Sequence, residues 1–198
     1  MLNRRDAHIW EYIHHLYFEN KTYEEIPLTK HRPMGLIIDE KNADYYKCCF
    51  EPLQQYIKDC SILDVGCFIG NKIHWFEKLS AKSYIGIDPD PKCIRVAKIA
   101  AKISNMPADV VQTTAEEYNF KADTTVLLSV THKFSSQNTI LDKITTNNFI
   151  METWVDQNNC WSAEKYINYL TKKYDITYQH YYTKNKLVLA GTRLDKNN

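Results

Sequence analysis

The chain has no long apolar run. Its longest, such as Val126–Leu128 and Leu187–Ala190, fall far short of the roughly 20 residues that cross a bilayer, so no membrane-spanning helix is expected. It also has no excess of either charge: Lys+Arg 25 against Asp+Glu 24 leaves a formal +1. That near-balance excludes a strongly basic field able to gather nucleic acid or anionic lipid non-specifically, although a local basic patch is still allowed. No internal repeat or low-complexity tract is present, and no pair of cysteines has C-x-x-C spacing. The adjacent His14 and His15 point in different directions on either a helix or a strand, and His8 and His31 lie apart from them, so no metal site is expected. The first ten residues carry two arginines and no apolar h-region. The expectation is a cytoplasmic protein whose six cysteines (Cys48, Cys49, Cys60, Cys67, Cys93, Cys160) stay reduced.

What is present is an ordinary globular composition, 44% hydrophobic and 25% charged over 198 residues, enough for a sizeable core and for one domain. From Ser61 onward short apolar runs alternate with helical patterns, the signature of a parallel sheet covered on both faces. Strands are expected at 61–65, 83–88, 109–113, 124–129 and 149–154, with helices at 71–79, 91–103, 137–144 and 162–174 between or after them. Two further strand-like runs, 176–183 and 187–192, are separated only by Lys184, Asn185 and Lys186, which suits a hairpin. The expected architecture is a seven-stranded, mostly parallel α/β sheet ending in an antiparallel pair. Residues 61–198 make up its core. Residues 1–60, aromatic and histidine-rich with a plausible helix near 45–58, form an extension that either lids the site or anchors to the core.

The chemistry concentrates at the end of the first strand, in Ile62-Leu63-Asp64-Val65-Gly66-Cys67-Phe68-Ile69-Gly70. In an open α/β sheet, ligands bind outside the carboxyl ends of the strands. A dinucleotide loop would need glycine where Phe68 and Asn71 stand, and a phosphate loop would need Gly-Lys-Ser/Thr where Gly70-Asn71-Lys72 stands. A ligand with an adenosine but no phosphate fits better, its ribose held by a carboxylate at the end of the next strand. Asp88, in Gly86-Ile87-Asp88-Pro89-Asp90, occupies that position.

LDVGCFIG followed by GIDPD resembles motifs I and II of the class I S-adenosylmethionine-dependent methyltransferases, and the order of elements resembles that family's Rossmann-like sheet. The resemblance covers about two thirds of the chain. It implies S-adenosylmethionine as cofactor, with Gly66, Cys67 and Gly70 around its methionine part, Asp64 orienting its amino group and Asp88 accepting from its ribose. It further implies that Ala115, with Glu116 beside it, lies at the adenine, and that Phe68, Pro89 and Ser129, in or next to these motifs, face the cofactor. Two departures stand out: Phe68 replaces the usual middle glycine, and Thr114 stands where relatives often have an aspartate.

Transfer to a hydroxyl needs a base as well as alignment. The segment Ser129-Val130-Thr131-His132 resembles the Ser-Val-x-His stretch found after the fourth strand of many small-molecule methyltransferases, which makes His132 the candidate base, or else a lining residue. Glu152 could bind a substrate hydroxyl or amine, or serve as a buried acceptor. The function expected is methyl transfer to an oxygen or nitrogen of a small polar molecule such as a sugar or metabolite. RNA methylation and a non-catalytic, cofactor-binding partner subunit are the alternatives. The sequence leaves the oligomeric state open.

Overall fold

The computed structural model describes residues 50–134, 136–156 and 160–194, except the side chain of Ile103. The elements are β1 (Ser61–Val65), α1 (Ile73–Lys78), β2 (Ser83–Asp88), α2 (Pro91–Ile103), β3 (Ala108–Gln112), β4 (Thr124–Leu128), α3 (Gln137–Lys143), β5 (Asn148–Trp154), α4 (Ala163–Leu170), β6 (Tyr174–Thr183) and β7 (Lys186–Arg193). The seven strands make one sheet in the order β3-β2-β1-β4-β5-β7-β6. The five strands β1 to β5 are mutually parallel, whereas β7 pairs antiparallel with both β5 and β6.

Apolar runs such as Ile62-Leu63 and Thr124–Leu128 are buried throughout because helices cover both sides of the sheet. On one side Ile62, Val126, Ile150 and Val188 pack with α1, α2 and the segment around Leu53, Tyr56 and Ile57. On the other, Leu63, Leu127, Phe149, Met151 and Leu189 pack with Ile140 and Leu141 of α3 and Tyr166 and Leu170 of α4. Local chemistry starts the helices where they begin. Asp90 caps α2 by accepting from the Lys92 amide at 2.8 Å, with Pro91 in the first turn, and Ser162 caps α4 through the Lys165 amide at 3.2 Å.

Three expected helices differ from those observed. α1 begins at Ile73 rather than Asn71, because the Ile73 amide still closes the preceding loop on the Gly70 carbonyl at 3.1 Å. The helix expected over 162–174 ends at Leu170. The Thr171 hydroxyl turns back onto the Ile167 carbonyl at 3.0 Å, and Tyr174 opens β6 with its ring edge-on to Phe149. Within the stretch 45–58, Glu51–Tyr56 is a 3-10 helix with Pro52 in its first turn, and residues 45–49 lie outside the described ones. So do Cys48, Cys49 and the histidine-rich stretch from His8 to His31, and with them the lid reading. Among the described residues no helix is long and apolar enough to cross a membrane, and Cys60, Cys67, Cys93 and Cys160 are free thiols.

Candidate functional site

The loop Gly66–Gly70 leaves the end of β1 and is tied to its neighbour strand. The amides of Gly66 and Cys67 both donate to the Ile87 carbonyl, at 2.8 and 3.0 Å. Its backbone needs glycine at two points. Gly66 has φ +74°, and a Cβ there would lie 2.4 Å from Val130 Cγ1, while at Gly70, φ +73°, a Cβ would press on the Ala97 backbone of α2 at 3.1 Å. Cys67 packs beneath Gly86 and is fully buried, and burial pushes its thiol far up, so it is a packing residue and not a nucleophile.

Phe68 takes the left-handed conformation (φ 54°) that the absent glycine would have favoured. Its ring is 39% exposed, and its amide donates to Asp88 Oδ2 at 3.1 Å. Asp88 receives a second backbone donor, Asp90 N–H, on Oδ1 at 2.9 Å. The carboxylate is therefore held rigidly at the tip of β2, with acceptor capacity remaining on both oxygens. Pro89 beside it is exposed.

Asp64 is completely buried in β1. Tyr84 O–H donates to its Oδ2 at 2.9 Å, Lys72 Nζ stands 3.9 Å from its Oδ1, and that oxygen has no hydrogen-bond partner. Burial raises its pKa, opposed by Lys72 and Tyr84. The loop after β3 is anchored to the same edge by the Thr113 amide on the Asp88 carbonyl at 3.2 Å. In that loop Ala115 turns its side chain into the core, while Glu116 is exposed and its carbonyl accepts from Lys143.

The edge continues across β4, β5 and β7. Ser129, also left-handed at φ 56°, ends β4 by donating its amide to the Glu152 carbonyl at 2.9 Å. Its hydroxyl donates to Glu152 Oε1 at 2.5 Å. Lys186, the first residue of β7, places Nζ 2.7 Å from the same Oε1, 3.2 Å from Ser129 Oγ and 4.8 Å from the centre of the Trp154 ring. His132 lies in a 3-10 turn, Thr131–Lys133, that the sequence does not announce. Its Nδ1 is buried without a hydrogen-bond partner, and burial, with Lys133 and Lys186 adding to it, lowers its pKa and so favours the neutral ring.

All the candidate residues thus lie along or just beyond one carboxyl edge, in two groups. Asp64 and Asp88 sit on β1 and β2, Gly66, Cys67, Phe68, Gly70 and Pro89 directly after them, and Ala115 and Glu116 in the loop after β3, while Ser129 and His132 follow β4. Sequence reading missed Lys186 and the bond it shares with Ser129 and Glu152. The sequence places Lys186 in the hairpin turn, outside the strand expected at 187–192, whereas it opens β7.

A sheet in this order, with one antiparallel strand inserted beside β5, a glycine loop after β1 and an acidic residue ending β2, defines a class I methyltransferase fold. Residues 62–146 match the profile of the methyltransferase domain family. That match spans less than half of the chain, and the fold is the one that solved S-adenosylmethionine-dependent methyltransferases share with it. Among solved structures, magnesium protoporphyrin IX methyltransferase from Synechocystis PCC 6803, with bound S-adenosylmethionine, superposes with a TM-score of 0.67 at 13% identity, covering 98% of this chain and 99% of that one. The PH0226 protein of Pyrococcus horikoshii gives 0.66 at 15% identity, covering 88% and 99%. PH1948 from the same organism, described as a candidate RNA methyltransferase, gives 0.63 at 11% identity over 100% of both chains. No curated protein sequence is recognisably similar.

The residues fit S-adenosylmethionine. The buried Asp64 oxygen without a donor complements an ammonium group, and Asp88 offers acceptors to a diol.

Proposed function

We propose that the chain methylates an oxygen of a small polar acceptor, with Asp64, Gly66, Cys67, Phe68 and Gly70 holding the methionine part of the cofactor and Asp88 with Pro89 its ribose. Ala115 and Glu116 border the adenine, and Ser129 stands at the boundary between cofactor and acceptor. When bound, the cofactor supplies a methyl group on a sulfonium, already activated for transfer. The protein therefore has to align the acceptor, exclude water and remove the hydroxyl proton.

His132 takes that proton. The observation that carries this reading is its buried, unpartnered Nδ1, in the turn that follows Val130 and the Gly66 contact, where burial favours the neutral ring. A neutral imidazole accepts a proton, and an imidazolium cannot. The near-zero net charge agrees with a small polar acceptor.

RNA is the competing acceptor. It is favoured by Lys165 lying 4.3 Å over the Trp161 ring and Lys172 lying 5.6 Å over Tyr169 on α4 and the turn after it. Incubating the purified chain with radiolabelled cofactor and fractionated cell extract separates the two. Label is expected in a small-molecule fraction. Label confined to RNA, with binding that weakens steeply as salt rises, would overturn the small-acceptor reading.

A further inference from the structure

Glu152, Lys186 and Trp154, joined through Ser129 to the boundary of the cofactor site, are the part of the carboxyl edge that cofactor binding leaves unexplained. Side-chain exposure is 1% for Glu152 and 10% for Lys186. Withdrawing a carboxylate and an ammonium from water costs several kcal/mol per ion, and a well-packed apolar pair is often as stable. The charges also sit beside the site and not elsewhere in the fold. Ser129 directly follows β4, and its neighbour Val130 fills the space above Gly66.

The geometry around Lys186 Nζ is that of a receptor for an ammonium. A carboxylate oxygen at 2.7 Å supplies the counter-charge, a hydroxyl oxygen at 3.2 Å supplies a second acceptor, and the face of an indole at 4.8 Å supplies the quadrupole that cations favour. The occupant is the end of the chain's own side chain, delivered from β7. An amine seeking that carboxylate as its cation finds the place already filled by Lys186 Nζ. A neutral hydroxyl meets no such penalty.

We propose that Glu152, Ser129 and Trp154 form an ammonium pocket on the acceptor side which Lys186 occupies from within, so that the enzyme selects hydroxyl acceptors and rejects protonated amines. This rests on the small-acceptor reading above and names its substrate class. Lys186 acts as a specificity-determining residue. It excludes one kind of acceptor and is not itself consumed.

The test titrates the full chain, saturated with S-adenosylhomocysteine, with ethylammonium chloride, which copies the end of a lysine side chain. Lys186→Ala should bind the probe saturably and at least about tenfold more tightly than wild type, whereas Lys186→Arg, which keeps a cation in place, should match wild type. Equal titrations for wild type and Lys186→Ala, with S-adenosylhomocysteine affinity retained, overturn the pocket. Should Lys186→Ala not fold, a brief acetic anhydride pulse on wild type, read by mass spectrometry, decides the same point. Lys186, whose nitrogen must leave the Glu152 carboxylate to react, should be acetylated roughly tenfold more slowly than exposed Lys184, and equal rates overturn the proposal. In the extract assay, methyl groups on oxygen support the selection and methyl groups on amine nitrogen overturn it. Label in RNA, or loss of S-adenosylhomocysteine binding by wild type, would strike at the underlying reading instead.

Discussion

The two halves of the carboxyl edge are built from different materials. On β1 and β2 the surface is mainly backbone: two left-handed glycines, amides tied to the Ile87 carbonyl, and one carboxylate clamped by the Phe68 and Asp90 N–H groups. On β4, β5 and β7 it is made of side chains, with Ser129, Glu152 and Lys186 sharing bonds across three strands and His132 in the adjoining turn. A backbone-lined half tolerates little change in shape and suits a ligand that never varies. A half lined by side chains can be retuned residue by residue, which is how one fold accommodates many acceptors.

That contrast can be broken most sharply at Gly66. Gly66→Val adds a side chain in a left-handed conformation, directly into Val130, and should cost about 3 kcal/mol or more and abolish S-adenosylhomocysteine binding. Combining Gly66→Ala with Val130→Ala removes the contact and should leave a cost of about 1 kcal/mol, read by denaturant unfolding and calorimetry. If Gly66→Val binds normally, the loop is not the rigid half.

His132→Ala probes the other half. Turnover should fall by about 10² while S-adenosylhomocysteine affinity stays within about twofold; undiminished turnover would remove the base. Asp88→Ala should do the reverse, weakening S-adenosylhomocysteine by about tenfold, as expected for lost charge-assisted hydrogen bonds, with Asp88→Asn intermediate. An unchanged dissociation constant would detach the ribose from β2.

The smallest effect belongs at the opposite edge of the sheet, where Asp123 accepts from the Ser61 amide at 2.8 Å and the Ser61 hydroxyl at 2.7 Å. Those bonds hold its pKa below the ordinary 3.8. The stability it adds is therefore present above that value and lost as pH falls through the lower, folded one. Asp123→Asn should melt earlier than wild type at neutral pH, the gap closing in acid, with cofactor affinity untouched throughout. A gap that persists in acid would contradict the assigned bonds.

The same division governs what could be read from the amino acids alone. The loop after β1 is local: Asp64 to Gly70 and then Asp88 state their own turn, strand end and carboxylate within a short stretch, and β1, β4 and β5 are legible as buried runs because the sheet is covered on both faces there. Lys186 was illegible because its meaning depends on Glu152 and Ser129, which only the strand order brings together. The turn holding His132 and the early end of α4 escaped for a related reason. Tertiary bonds, such as those the Tyr174 hydroxyl donates to the Ile144 and Thr146 carbonyls between α3 and β5, override a helical pattern that continues past Leu170.

The position of β7 also bears on how the chain comes off the ribosome. β5 pairs on one flank with β4 and on the other only with β7, which is synthesised after β6 although it lies inside it. Until that late strand slots in, β5 presents a bare row of amides and carbonyls and Glu152 lacks its counter-ion. A nascent chain stalled before Lys186 should therefore be sticky and prone to capture by holdases.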